Sequence, residues 1–284
     1  MLGSLRRFFR RKRGKIKVIP AIRLQGVIGV RGISGGLTLA GLEKTLEAAF
    51  DDKKAPAVLL LVNSPGGSPV QSSLIASRIR GLAEAKKKPV IAVVEDVAAS
   101  GGYWLATAGD EIFVDPSSLL GSIGVISAGF GFTEAIAKVG IERRVHTAGQ
   151  SKALLDPFRP ERPEDLLLLQ EIQGDIHAAF KDQVTRRRAG RLHLAEAGLF
   201  EGKVWTGRRA VEIGLADGIA TAHDLVRQRF GKKARIRIVE EKRSWLARRL
   251  GFGMTSAAEG AAGAITAAAL STLEERIHWQ RYGL

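Results

Sequence analysis

Two glycine turns hold the residue types from which acyl-transfer chemistry is built: Asn63-Ser64-Pro65-Gly66-Gly67 and Ala98-Ala99-Ser100-Gly101-Gly102. Each follows a segment that reads as a buried strand, Ala57 to Val62 and Pro89 to Val97, and each leads into a helical pattern. A turn at the carboxyl end of a buried strand is where open α/β sheets place their ligand crevice. Paired glycines let backbone N–H groups face that crevice with no Cβ in the way, as an oxyanion hole requires. Steric need in a strand-to-helix turn explains the same glycines. A serine in the place of Ser100 projects from a tight turn at a helix start, which exposes a nucleophile and offers the N–H of Gly101 to a developing oxyanion. An N-cap serine leaves the same trace in a sequence.

A serine nucleophile needs a base. The chain has no cysteine and five histidines, His146, His177, His193, His223 and His278, none of them in a small-residue or glycine turn. His177 falls on a long helical pattern, which fits a surface or core role, so histidine is disfavoured as the base. Lysine serves where burial penalises its ammonium form. Most lysines stand in charged runs, whereas Lys152 lies in Thr147-Ala148-Gly149-Gln150-Ser151-Lys152-Ala153-Leu154-Leu155, among small and apolar neighbours. By itself that setting fits a base and a solvated loop lysine equally.

The elements that must position these residues alternate. Val18 to Val30 reads as extended, broken by Pro20, and a Gly-rich turn at Ile33-Ser34-Gly35-Gly36 follows. Leu39, Leu42, Leu46 and Phe50 recur at helical spacing. Ala57 to Val62 is continuously apolar, as a parallel strand buried on both faces should be. Ser68-Pro69 is an N-cap and N1 pair for a helix through Leu74, Ile75, Ile79 and Leu82. A second strand, turn and helix follow at once, the helix over Tyr103 to Ala108, so a parallel sheet with right-handed crossovers is predicted. Ile112 to Val114, Ile123 to Ser127 and Arg143 to Thr147 read as short strands, and Thr133 to Val139 as a helix closed by Gly140. A long helix from Pro163 passes Leu169, Ile172, Ile176, Phe180 and Val184 and ends in Arg186-Arg187-Arg188; Thr206 caps one more, ended by Gly214. The division expected is a basic arm over 1–17, a catalytic domain over 18–238 and a helical, Ala-rich appendage over 239–284.

Composition bounds the rest. With 284 residues and no cysteine, the chain can bury a sizeable core but has no disulfide, thiolate metal site or cysteine nucleophile. No run approaches the roughly 18 apolar residues of a membrane span, and the first residues lack the apolar core and cleavage site of a secretory signal. Lys and Arg total 44 against 29 acids, a net charge of +15. Eight of these cations, from Arg6 to Lys17, occur without an acid beside Leu2, Leu5, Phe8 and Phe9. That pattern suits an amphipathic segment on anionic lipid, or a solvated arm. Nucleic acid is not expected, since aromatic residues are sparse and no recognition module follows.

The strings VNSPGG, VAASGGYWLA, GSIGVIS, SKALLDPFRP and VWTGRRAVEIGLADGI, in this order, resemble the bacterial signal peptide peptidase A family of Ser-Lys serine peptidases. The resemblance spans Val18 to Ile219, and the last string is also similar to the wider Clp protease group. It implies a Clp/crotonase-like α/β fold. It places the nucleophile at Ser100, the general base at Lys152, an oxyanion-hole donor at Gly67 beside Gly101, and a lysine-orienting hydroxyl at Ser122, for which a plain turn hydroxyl is the alternative. Asn63, Pro65 and Gly66 then shape the turn. No metal or cofactor is implied. Implied substrates are apolar extended peptides such as cleaved signal peptides.

Family members commonly carry an N-terminal membrane span, where this chain has the basic arm; the expectation is peripheral attachment at the cytoplasmic face. Some members hold two tandem copies of the domain; no repeat of the domain is read here, and a single copy is expected. Single-copy members form ring-shaped homo-oligomers and can complete the dyad across a subunit boundary. Two rivals need neither Ser100 nor Lys152: a crotonase-like acyl-CoA enzyme holding a thioester enolate, and a membrane-surface scaffold of the same fold.

Overall fold

The computed structural model describes residues 16–29, 36–149, 151–240, 279–280 and 282–283. Nearly all of the basic arm and of the Ala-rich appendage lies outside the described residues. The alternation of apolar runs becomes a mostly parallel sheet. Its centre is β1 (Val18–Gln25), β2 (Val58–Ser64) and β3 (Val90–Ala99), with β8 (Arg235–Ile238) along β1. The sheet forks at β3. Its first half pairs with β4 (Glu111–Val114), which carries β7 (Gly218–Ile219), and its second half pairs with β5 (Leu119–Gly121). Among the described strands, only β6 (Val204–Thr206), on β5, runs antiparallel.

Alternate residues of the central strands feed two cores, which is why Val58 to Val62 and Val90 to Val94 are apolar without a break. Val58, Leu60 and Val62 of β2 join Val90, Ala92 and Val94 of β3 on one face. That face is covered by α1 (Leu39–Phe50), α2 (Pro69–Lys86), α3 (Gly101–Ala106), α5 (Pro163–Arg187) and α6 (Gly207–Glu212). Leu59, Leu61, Ile91 and Val93 face the other way, against α7 (Ala222–Phe230). Pro20 does not break β1. It lies one residue before the β1–β2 ladder opens at Ala21 and Leu59, so its missing N–H deprives β2 of no bond.

The segment between β5 and α5 behaves differently. The strands predicted at Ile123 to Ser127 and Arg143 to Thr147 do not form: Ser122 and Ile123 still bond to Lys203 and Gly202 beside the β5–β6 pair, but the chain beyond them leaves the sheet. The helix predicted there does form, as α4 (Thr133–Lys138), but it buries none of its residues. Phe130 is 81% exposed, Val139 69% and Ile126 65%. The segment packs on itself through the rings of Phe130, Phe132 and Phe158, with the Arg143 guanidinium over the last of these.

α5 fastens the helical layer. Phe180 stacks on Trp104 of α3 at 4.8 Å between centroids, and Gln183 and Arg187 donate to the hydroxyl and carbonyl of Thr107. Just beyond its end, buried Arg188 gives Nε and Nη2 to the Gly214 carbonyl and Nη1 to Asp217.

Candidate active site

The first turn is held open by bonds on either side of one glycine. Ile28 donates its N–H to the Gly66 carbonyl, and its own carbonyl accepts from Ser68 N–H, both at 2.8 Å, so Gly67 sits opposite Ile28 like a residue in a parallel ladder. A ladder residue whose two neighbours face the partner strand turns its own N–H the other way. At φ +138°, a Cβ on Gly67 would stand 2.2 Å from the Ile28 carbonyl oxygen, so only glycine fits. Ser64 donates its hydroxyl to Gly26 O and accepts from Gly66 N–H, and Ser68 caps α2 by accepting from Gln71 N–H. Asn63 ties the end of β2 to β3: its amide donates to Asp96 at 2.6 Å and its oxygen accepts from Val97 N–H.

The second turn lies against the first. Ser100 occupies the N-cap position of α3, yet its side chain makes no capping bond, unlike Ser68, Thr38 and Thr221. Its backbone stands at φ 51°, ψ −124°, outside the regions an L-residue adopts without strain. Several bonds enforce this conformation: Ser100 N–H donates to Gly121 O at 2.8 Å, while Ser100 O accepts from the N–H groups of Tyr103 and Trp104. A Cβ on Gly66 would lie 2.8 Å from Ser100 Cβ and 3.0 Å from Gly101 N, so the two turns interlock with no room for another side chain. As the first residue of α3, Gly101 has no intrahelical acceptor for its N–H.

Ser122 follows the residue that binds Ser100. It is half-buried, also has φ 51°, and donates its N–H to Lys203 O at 2.7 Å. Ser100, Gly67, Gly101 and Ser122 thus share one end of the sheet. Lys152 does not join them within one chain. It is exposed, in the turn 151–155 of the self-packed segment, with its N–H on Gly149 O. The chain's own described residues leave it uncovered.

One feature escaped the sequence. His177, set aside above as a surface or core residue, is half-buried with Nε2 3.2 Å from Ile123 O, 54 residues distant and beside Ser122; nothing in the local sequence signals it. Thr206, expected to cap a helix, does stand at the N-cap of α6, but its side chain makes no capping bond. Among the described residues no cluster of His, Asp or Glu is suited to a metal, and no helix is long and apolar enough to cross a membrane.

The model of peptidase family S49 matches residues 83–235 of this chain. A Brucella abortus protein named Na(+)/H(+) antiporter NhaA is 48% identical over 99% of this chain and 39% of its own length. The chloroplastic serine protease SPPA of Arabidopsis thaliana is 32% identical over 69% of this chain and 28% of its own length. Protease 4 of Haemophilus influenzae is 33% identical over 68% and 30%. The chain therefore spans about two fifths or less of the length of these relatives.

Proposed function

This chain belongs to peptidase family S49, and we propose that it is a serine endopeptidase in which Ser100 is the nucleophile and Lys152 the general base. Neutral Lys152 takes the Ser100 proton as the oxygen attacks a peptide carbonyl. The N–H groups of Gly67 and Gly101 hold the oxyanion, and Ser122 orients the lysine amine. Lys152 then protonates the leaving amine, and water resolves the acyl-enzyme. The observation that carries this reading is the backbone of Ser100, strained within the second of two interlocked glycine turns, with its hydroxyl unused as a cap. Strain of this kind persists only where surrounding bonds over-determine it.

Lys152 is exposed in the single chain, on a segment whose large apolar side chains lack cover. Both facts support a base supplied to Ser100 across a boundary between copies of the chain, where desolvation would favour the neutral amine. Apolar extended peptides such as cleaved signal peptides are the proposed substrates. Ion antiport is not carried over from the Brucella relative, most of whose length has no counterpart in this chain.

Labelling by a fluorophosphonate tests the assignment. It should be lost in Ser100→Ala and in Lys152→Ala, together with hydrolysis of a signal-peptide substrate. Lys152→Arg should be equally inert, because a guanidinium keeps its proton. Labelling that survives Ser100→Ala would return the acyl-CoA enzyme and the scaffold to consideration.

A further inference from the structure

We infer that His177 is a positioning residue of this site, a clamp on the strained Ser122 turn. The inference rests on the dyad reading above. Ser122 is held in a left-handed backbone conformation that a serine leaves readily unless both sides are fixed. On its N-terminal side, the Gly121 carbonyl accepts from Ser100 N–H, and Ser122 N–H donates to Lys203 O. On its C-terminal side, the carbonyl of buried Ile123 accepts from Gly202 N–H at 3.1 Å and lies 3.2 Å from His177 Nε2. A carbonyl can only accept, so Nε2 carries the proton and donates.

His177, Phe180 and Val184 recur at helical spacing along α5, and the latter two are buried in the core. Phe180 fixes α5 to α3, the helix that Ser100 opens, through the stack on Trp104. One turn earlier, His177 carries the same helix to the Ser122 turn. α5 therefore braces both hydroxyl-bearing turns from behind. Without the His177 donor, Ile123 O keeps Gly202 N–H, so the chain still folds. The peptide after Ser122 then rocks about a single bond. That motion moves the Ser122 hydroxyl, and through Gly121 O it also loosens Ser100.

The histidine side chain and glutamine place Nε2 the same number of bonds from Cα, so glutamine preserves the donor and phenylalanine removes it while filling the space. His177→Phe should lower kcat on a peptide substrate, and the rate of fluorophosphonate labelling, by about tenfold with KM within about twofold, as small misplacements of reacting groups do. His177→Gln should stay within about twofold of the parent in all three. His177→Ala should resemble His177→Phe, so the test does not depend on one variant folding. Parent-like rates in the Phe and Ala variants, or a Gln variant as slow as they are, would overturn the clamp. Labelling that persists in Ser100→Ala would overturn the dyad reading and the clamp with it. Labelling lost in Ser100→Ala but unchanged in His177→Phe overturns the clamp alone.

Discussion

Four non-glycine residues among those described have positive φ: Lys87, Ser100, Ser122 and Leu155. Lys87 is a left-handed helix C-cap, a common use of that conformation. Ser100 and Ser122 end neighbouring strands and are joined through the Ser100 N–H to Gly121 O bond. Their placement depends on the glycines around them more than on their own chemistry. Gly66→Ala should therefore reduce activity at least about a hundredfold, since its Cβ would meet Ser100 Cβ at 2.8 Å and Gly66 has φ +111°. Gly81 offers the opposite case: it is exposed within α2, and an added Cβ meets nothing within 4 Å. Gly81→Ala should raise stability by about 0.5–1 kcal/mol in urea unfolding and leave hydrolysis untouched. A Gly66→Ala protein with parent kcat would mean that the interlocking of the two turns does not govern Ser100.

At the level of elements, the end of α5 and the connection from α6 to β7 are joined by Arg188 and Asp217. Arg188 is 1% exposed. Burial alone would raise the Asp217 carboxyl, but the Arg188 guanidinium, the Ile112 N–H and Arg191 outweigh it and hold the group below the ordinary 3.8. The folded value lies under the unfolded one, so this contribution to stability is complete above about 3.8 and fades as pH falls through the lower folded value. Asp217→Asn leaves Arg188 buried without its anion and should cost about 3 kcal/mol at neutral pH. It should also flatten the acid side of the stability profile. Urea midpoints at neutral pH and near pH 3 read both effects; a parent-like midpoint would show that Gly214 O alone suffices for Arg188.

For the whole molecule the telling feature is uneven burial. The sheet and its helices are closed on both faces, whereas the stretch between β5 and α5 presents Ile126, Phe130, Val139 and Ile141 to solvent together with Lys152. Exposed apolar area of this kind marks a contact surface. Mixing inactive Ser100→Ala with inactive Lys152→Ala protein should restore part of the activity, because some junctions then carry one intact copy of each residue. Exchange of subunits, followed by mass spectrometry of mixed assemblies, without any recovery would exclude a shared dyad. The net charge of +15 bears on a different surface. Deleting 1–17 should lower co-sedimentation with anionic vesicles, and salt should weaken binding of the intact chain. Equal sedimentation with and without the arm would refute lipid attachment through it.

The alternating plan was legible because a parallel strand covered on both faces carries a continuous apolar run: Ala57 to Val62 and Val90 to Val94 announced β2 and β3. The two turns were legible because glycine pairs and Ser68-Pro69 stand where the chain reverses from strand to helix. By contrast, Ile123 to Ser127 and Arg143 to Thr147 have strand-like composition without forming strands, since a ladder needs a neighbouring edge and composition does not supply one. The short, alternating RIRI of β8 was passed over for a related reason, as its pairing with β1 joins residues more than 200 positions apart. Sequence by itself determined which residues could react and which strand ends bear them. Tertiary structure alone decided that Ser100 is strained and uncapped, that His177 meets Ile123, and that Lys152 stands apart from Ser100 within one chain. Those outcomes depend on backbone bonds and burial between distant segments, and no local pattern of residue types encodes them.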